Sequence, residues 1–194
     1  MVSENDKFVQ GFDHISDENS AILILGTLPP CNREFYYQQD KTFWKILGQV
    51  FNCDFSTNTE KKLKDCRIAL WDIFKSGCRK NGSSKDEDII LDTVQRNNIS
   101  RFIMKHSSVK YIIINGKNYA YERFLEFNPE ENIQRLITAG NVKKLYNTGS
   151  LNRLKKDLSV QAENEWIETL KACLGINESE KKKIFVVKKA KVNK

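Results

Sequence analysis

Four stretches of the chain are apolar with little or no interruption. Ala21–Gly26 (AILILG) is rich in Ile and Leu and is stopped by a glycine, and Cys66–Phe74 (CRIALWDIF) is a second such run. Val109–Gly116 (VKYIIING) is a third, again ending at glycine, and Val142–Asn147 (VKKLYN) is a weaker fourth. Continuous rather than alternating apolarity is what a parallel strand buried on both faces requires. Between the runs, apolar residues recur at helical spacing. Lys41–Phe51 carries them at 43, 44, 46, 47, 50 and 51, and Asp86–Asn98 at 89, 90, 91 and 94. Lys117–Phe127 has Tyr121, Phe124 and Leu125, and Ala162–Leu174 has Trp166, Ile167 and Leu170 before the stop signal Gly175. Strands alternating with helices predict an α/β fold, with a central, mostly parallel four-stranded sheet flanked by helices in three layers. No internal repeat and no linker rich in Pro, Gly or Ser interrupts it. The chain therefore divides into an N-terminal extension (1–17), one domain (18–176) and a C-terminal tail (177–194).

Composition narrows the function classes. At 194 residues and 40% hydrophobic, the chain is long enough to bury one full core. No run approaches the roughly 18 apolar residues of a membrane span, and the polar start MVSENDKF is not a secretory signal. A non-membrane, non-secreted protein is expected, placed in the cytoplasm or, in a eukaryote, the nucleus. Cysteines 31, 53, 66, 78 and 173 are widely spaced without a CxxC pair, and His14 and His106 lie far apart. Reduced thiols and no metal or cofactor are the expectation. The net charge of +7 resides in the tail, since 181–194 holds seven lysines and no acid, and the rest of the chain balances. Such a tail either steers the protein toward nucleic acid or is a solvated terminus. Its Ile184–Val187 reads as a short edge strand.

Ligands of open parallel sheets bind outside the carboxyl ends of the strands. Those ends carry Gly26-Thr27-Leu28-Pro29-Pro30, then Trp71-Asp72 with the polar loop Lys75–Asp88, then Asn115-Gly116, then Asn147-Thr148-Gly149-Ser150. All four should meet on one rim, near the aromatics Tyr36, Tyr37, Phe43 and Trp44. The first loop has one glycine and no GK[ST] or GxGxxG, so it is no phosphate loop. Its prolines stiffen a turn suited to a pocket wall.

The succession ILILGTLPP, FYYQQDKTFWKILGQVF, IALWDIFKSGCRKNGSSKDEDI, IINGKNYAY and LYNTGSLNRL resembles the uracil-DNA glycosylase superfamily over about residues 18–172. The nearest branch comprises the mismatch-specific and hypoxanthine (deoxyinosine) DNA glycosylases. Its marks are a G-[ST]-x-P opening, a Tyr pair running into Phe-Trp, a Leu-Trp-Asp strand, Gly-Ser, and an Asn-Gly strand end. The resemblance implies a monofunctional, cofactor-free base excision repair enzyme, a hydrolase of the N-glycosidic bond. It would act as a monomer on a uracil or hypoxanthine flipped out of damaged duplex or single-stranded DNA. A catalytically weak relative that binds nucleic acid or a nucleobase is the alternative.

On that resemblance Gly26, Thr27, Leu28 and Pro29 face sugar and base, and Tyr37 stacks the flipped base. Trp71 and Asp72 read its edge, with Asp72 also readable as a local cap, and Asn115 and Gly116 close the third strand end. Arg79 and Ser83 would contact DNA. Thr148, Ser150 and Arg153 would clamp phosphate, and Leu151 would be either a wedge between bases or a core residue. Relatives carry Asn in a His-Pro-Arg-Asn-like run before Phe-Trp, where this chain has Gln38-Gln39-Asp40-Lys41-Thr42. Asp40, Thr42 or Gln39 are the substitutes for positioning water. A carboxylate at Asp40 is a better base than a Thr hydroxyl.

Overall fold

The computed structural model describes residues 3–31 and 40–176. Tyr36, Tyr37 and the lysine tail with its expected edge strand lie outside the described residues. Strands β1 (Lys7–Gln10) and β2 (Ile22–Gly26) precede helices α1 (Lys41–Phe51) and α2 (Thr59–Asp65). Then come β3 (Ile68–Asp72), β4 (Phe74–Arg79), β5 (Ile89–Arg96), α3 (Ile99–Lys105), β6 (Tyr111–Asn115), α4 (Tyr119–Phe127), α5 (Glu131–Thr138), β7 (Val142–Leu145) and α6 (Lys156–Leu174).

The four apolar runs form one parallel sheet in the order β3-β2-β6-β7. Every residue of β2 is buried, because it lies inside the sheet with layers on both faces. Its alternation divides the core. Ile22 and Ile24 point to a cluster with Phe43, Ile46 and Leu47 of α1 and Trp166 and Leu170 of α6. Leu23 and Leu25 point to the opposite cluster, with Phe102 of α3, Phe124 of α4 and Ile133 of α5. The register sets Gly26 beside Asp72 and Leu25 beside Ile114, so the carboxyl ends of the strands finish along one edge.

Two sequence-based assignments are corrected. Asp86–Asn98 is not helical. Residues 89–96 form β5, antiparallel to β4, in a second sheet ordered β1-β4-β5. Its apolar run is too short for spacing to separate helix from strand, and the β-branched Ile89, Ile90, Thr93 and Val94 suit a pleated surface. Thr93 Oγ1 accepts a 2.8 Å bond from the Cys78 amide where the pairing register shifts. For the same reason Lys75–Asp88 is not all loop. It begins as β4 and only then passes through short 3-10 turns at Lys80–Gly82 and Asp86–Asp88.

The N-terminal stretch packs on the body. Beyond β1, Ile15 bridges Leu70, and the Phe12 carbonyl accepts a 3.2 Å bond from the Trp71 indole. The Ser16 hydroxyl sits 2.8 Å from His14 Nδ1 and 3.1 Å from His106 Nε2.

Gly116 closes β6 with φ +153°, and a Cβ there would lie 2.6 Å from the Ala120 Cβ in the first turn of α4. Only a residue without a side chain lets α4 start this close to the sheet. Gly116→Ala is expected to cost about 2–3 kcal/mol of stability, measured by urea unfolding, while Gly140→Ala, at φ +69° with nothing within 4 Å, should cost only the backbone strain of about 1 kcal/mol.

Candidate active site

A cavity of about 530 Å³ opens at the carboxyl edge of the sheet. Pro30, Asp40, Thr42, Asp86, Gly116 and Tyr119 line it, together with Tyr146 and the loop residues Asn147, Gly149, Ser150 and Arg153. Its volume falls in the usual range for small-ligand sites. Lys41, Lys85, Lys117 and Arg153 add positive charge to its wall.

The opening loop is held by a buried guanidinium. Arg79, at the end of β4, has no exposed surface. Its Nε donates to Pro29 O at 3.0 Å, and Nη2 donates to Leu28 O at 2.6 Å. Nη1 donates to Lys85 O at 2.7 Å, and Nη2 also reaches Asp86 Oδ1 at 3.1 Å. The Thr27 hydroxyl donates to the same Asp86 oxygen at 2.6 Å. The fixed fork of the guanidinium thus ties residues 27–29 to 85–86 and sets Asp86 into the cavity wall. Burial pushes the Asp86 carboxyl above the ordinary carboxylate range, opposed by the Thr27 hydrogen bond and the charge of Arg79.

The opposite wall is built on Asp40. It caps α1, with Oδ1 accepting from the Phe43 amide at 2.9 Å. Oδ2 accepts from the Thr148 hydroxyl at 2.5 Å. Asn115, buried at the end of β6, accepts from the Thr148 amide at 2.9 Å and donates Nδ2 to the Thr148 Oγ1 at 3.0 Å. The loop Thr148–Arg153 is a 3-10 turn capped by Asn147, whose Oδ1 accepts from the Gly149 amide at 2.9 Å. Three elements remote in sequence therefore meet at one carboxylate.

Comparison with known proteins decides the family. No family model matches the chain. A hypoxanthine DNA glycosylase of Methanosarcina barkeri is 34% identical over 116 residues, covering 56% of this chain and 71% of that one. A second, from Methanosarcina acetivorans, is 36% identical over 91 residues, covering 41% of this chain and 58% of the relative. The chain belongs to the hypoxanthine DNA glycosylase branch of the uracil-DNA glycosylase superfamily. The solution structure of a Methanosarcina acetivorans protein provisionally named a uracil DNA glycosylase superposes with TM-score 0.62 at 28% identity. It covers 86% of this chain and 99% of the other. The α/β layering with a parallel four-stranded sheet is thus the superfamily's own.

Within this glycosylase fold the residues singled out in the sequence separate into groups. Asp40, Thr42, Gly116, Ser150 and Arg153 line the cavity. Gly26 ends β2 on the rim, its carbonyl accepting from the Ile73 amide at 2.9 Å. Thr27 and Pro29 serve the wall through Asp86 and Arg79, and Asn115 serves it through Thr148. Tyr37 lies outside the described residues.

Six assignments are corrected. Arg79 is a buried staple rather than a DNA contact, since its guanidinium is committed to loop carbonyls and Asp86. Thr148 is 1% exposed and bound to Asp40 and Asn115, which leaves its hydroxyl no route to a phosphate. Leu151 has no exposed surface and packs with Phe43 and Trp166, so it is core and not wedge. Leu28 is likewise fully buried and offers its carbonyl, not its side chain. Strand alternation turns Trp71 away from the side of Asp72. Its ring packs against Phe102 and His14 under the N-terminal stretch. Ser83 is spent within its own loop, donating to Asp88 Oδ2 at 2.6 Å. Phe43 and Trp44 are packing residues, Trp44 stacking on Phe55.

Residues missed in the sequence include Tyr119, Tyr146, Lys117 and Asp86 as wall. Lys117 directly follows the third strand's Gly116, so the strand-end rule alone points to it. Lys117 lies 4.7 Å over the Tyr146 ring and 3.6 Å from Glu165.

Asp72 is fully buried, and neither carboxylate oxygen has a hydrogen-bond partner among the described residues. Burial, reinforced by the nearby charge of Asp86, lifts its carboxyl well above the ordinary value, against a smaller opposing pull from Arg79. A raised folded-state value means that the native state holds a proton the unfolded chain has released. The associated penalty grows as pH rises from about 4, the unfolded value, through the folded value, and persists above it. Asp72→Asn removes the ionisable group. It should raise the Tm at pH 7 by about 3 °C or more, and the gain should shrink toward zero as pH falls to about 4 in a thermal unfolding series.

Proposed function

We propose that this protein is a DNA repair glycosylase that hydrolyses the N-glycosidic bond of a deaminated base, uracil or hypoxanthine, flipped out of DNA. One observation carries the reading beyond family membership. The loops that follow β2, β6 and β7 and the turn between β4 and β5 converge on one cavity in which a capped, doubly hydrogen-bonded carboxylate, Asp40, faces aromatic and cationic wall residues. Base excision makes these demands: a pocket for an extruded base, charge to hold the backbone, and a fixed group to place water.

The chemistry follows that of glycoside hydrolysis through an oxocarbenium-like sugar. The C1′–N bond breaks with its electrons leaving on the base, which takes up a proton from solvent. A water oxygen bonds to C1′ and loses its proton to Asp40. The carboxylate's negative charge also stabilises the positive sugar. Tyr119 and Tyr146 offer ring faces to the base, and Lys41, Lys85, Lys117 and Arg153 offer phosphate contacts. Water as nucleophile makes the enzyme monofunctional, leaving an intact abasic strand.

The decisive assay is an excision panel with uracil, hypoxanthine, xanthine and mismatched thymine in duplex and single-stranded DNA. Excision of uracil or hypoxanthine is expected, with no covalent adduct trapped by borohydride. Asp40→Asn should lower the single-turnover rate about 100-fold or more. An adduct on Lys41, Lys85 or Lys117 would contradict the monofunctional reading, and an unaltered Asp40→Asn rate would remove Asp40 from the mechanism.

A further inference from the structure

The hydrogen bonds around Thr148 favour one direction. The Thr148 backbone N–H can only donate, and it donates to Asn115 Oδ1 at 2.9 Å. That fixes the amide of Asn115, so its Nδ2 is the donor facing Thr148 Oγ1 at 3.0 Å. The hydroxyl, already accepting there, has two acceptors within reach, Asp40 Oδ2 at 2.5 Å and Asn115 Oδ1 at 3.4 Å, and directs its single hydrogen to the nearer. Asn115 and Thr148 are each 1% exposed, so water does not compete within the chain.

From this geometry we infer that Thr148 and Asn115 are positioning residues that orient Asp40 to take the proton of the attacking water. They couple the 3-10 loop Thr148–Arg153 to the reacting end of the cavity. The inference deepens the glycosylase reading and rests on it. Phe43 N fixes one carboxylate oxygen and the Thr148 hydroxyl fixes the other, leaving the carboxylate no freedom to rotate.

Gly149 keeps that water's approach open. A Cβ on Gly149 would lie 3.6 Å from Asp40 Oδ2 and 3.2 Å from Asn147 Oδ1, narrowing the side of the carboxylate that faces the cavity. The same loop carries Ser150 and Arg153 on the cavity wall.

The test compares Thr148→Val, which keeps the volume and deletes the donor, with Thr148→Ser, which restores it. Thr148→Ala replaces the valine variant should that one fail to fold. Single-turnover excision at saturating enzyme is measured from pH 5 to 9, beside DNA affinity on an uncleavable 2′-fluoro analogue. The Asp40 carboxyl is followed by carbon NMR titration in the full chain. Thr148→Val is expected to slow excision about 10-fold or more with DNA affinity within about twofold. The acid limb of the profile and the Asp40 titration should both move to higher pH, because a donor to the charged form is gone. Thr148→Ser should recover most of the rate. In an Asp40→Asn background Thr148→Val should have little further effect, as expected for groups acting as one unit.

Lys41, Lys85, Asp86, Glu87, Lys117 and Arg153 share the cavity and are untouched in both variants, so they cannot produce the difference between Val and Ser. An unmoved Asp40 titration in Thr148→Val overturns the inference whether or not the wild type excises, and so does an unmoved rate. Loss of DNA affinity with an unchanged saturated rate overturns it in favour of a clamp role. A shifted Asp40 titration with full activity in Asp40→Asn keeps the positioning contact and rejects the glycosylase role of Asp40 instead.

Discussion

The burial of Arg79 is the constraint on which the site depends. A guanidinium without exposed surface is tolerated only when its N–H groups are matched. Here they are matched by the carbonyls of Leu28, Pro29 and Lys85 and by Asp86. Two of those carbonyls belong to a loop stiffened by prolines, and Pro30 beside them reaches the cavity. The strand that delivers Arg79, β4, belongs to the antiparallel sheet, while the loop that it grips leaves the parallel one. The small sheet thus brings a fixed cation under the cavity wall. Neutralising that cation places Asp86 where it is, and Asp86 in turn sets Thr27.

The same arrangement accounts for the state of Asp72. Asp86 is paired with Arg79 and Thr27, whereas Asp72 has no partner among the described residues. One cation compensates one carboxylate, and the second is driven toward its neutral form. Such an uncompensated buried acid costs stability, which is typical of groups retained for function rather than for folding. Asp40 shows the opposite treatment. Both of its oxygens accept hydrogen bonds, from the Phe43 amide and the Thr148 hydroxyl, and lysines and an arginine share its cavity.

Much of this was legible in the letters. Buried parallel strands announce themselves as unbroken apolar runs, and AILILG, IALWD and YIIIN form β2, β3 and β6. The strand-end rule then pointed to a rim that includes Gly116 and Ser150, while Asp40 and Arg153 came from the family resemblance. Roles within the rim were less legible, because they depend on which way a side chain turns and on partners far away in sequence. Arg79 looked like a surface charge in CRKNG, and nothing local shows that carbonyls 50 residues upstream will receive it. Thr148 and Leu151 sit three apart on a 3-10 turn, where the eclipsed spacing sends both inward. Trp71 and Asp72 are neighbours whose faces are opposite by the period of a strand. The β5 segment failed as a helix because its strand character comes from pairing with β4 and not from its own spacing.

Under the proposed function, one rim, assembled by Arg79 and by the Asp40–Thr148–Asn115 chain, engages DNA. Amide hydrogen exchange of the full protein, with and without a duplex bearing an uncleavable deoxyinosine analogue, tests this directly. Protection concentrated at residues 26–30, 83–88, 116–120 and 147–153 is the predicted result. Protection confined to the far edge of the sheet, or spread evenly along the chain with those segments unchanged, would contradict it.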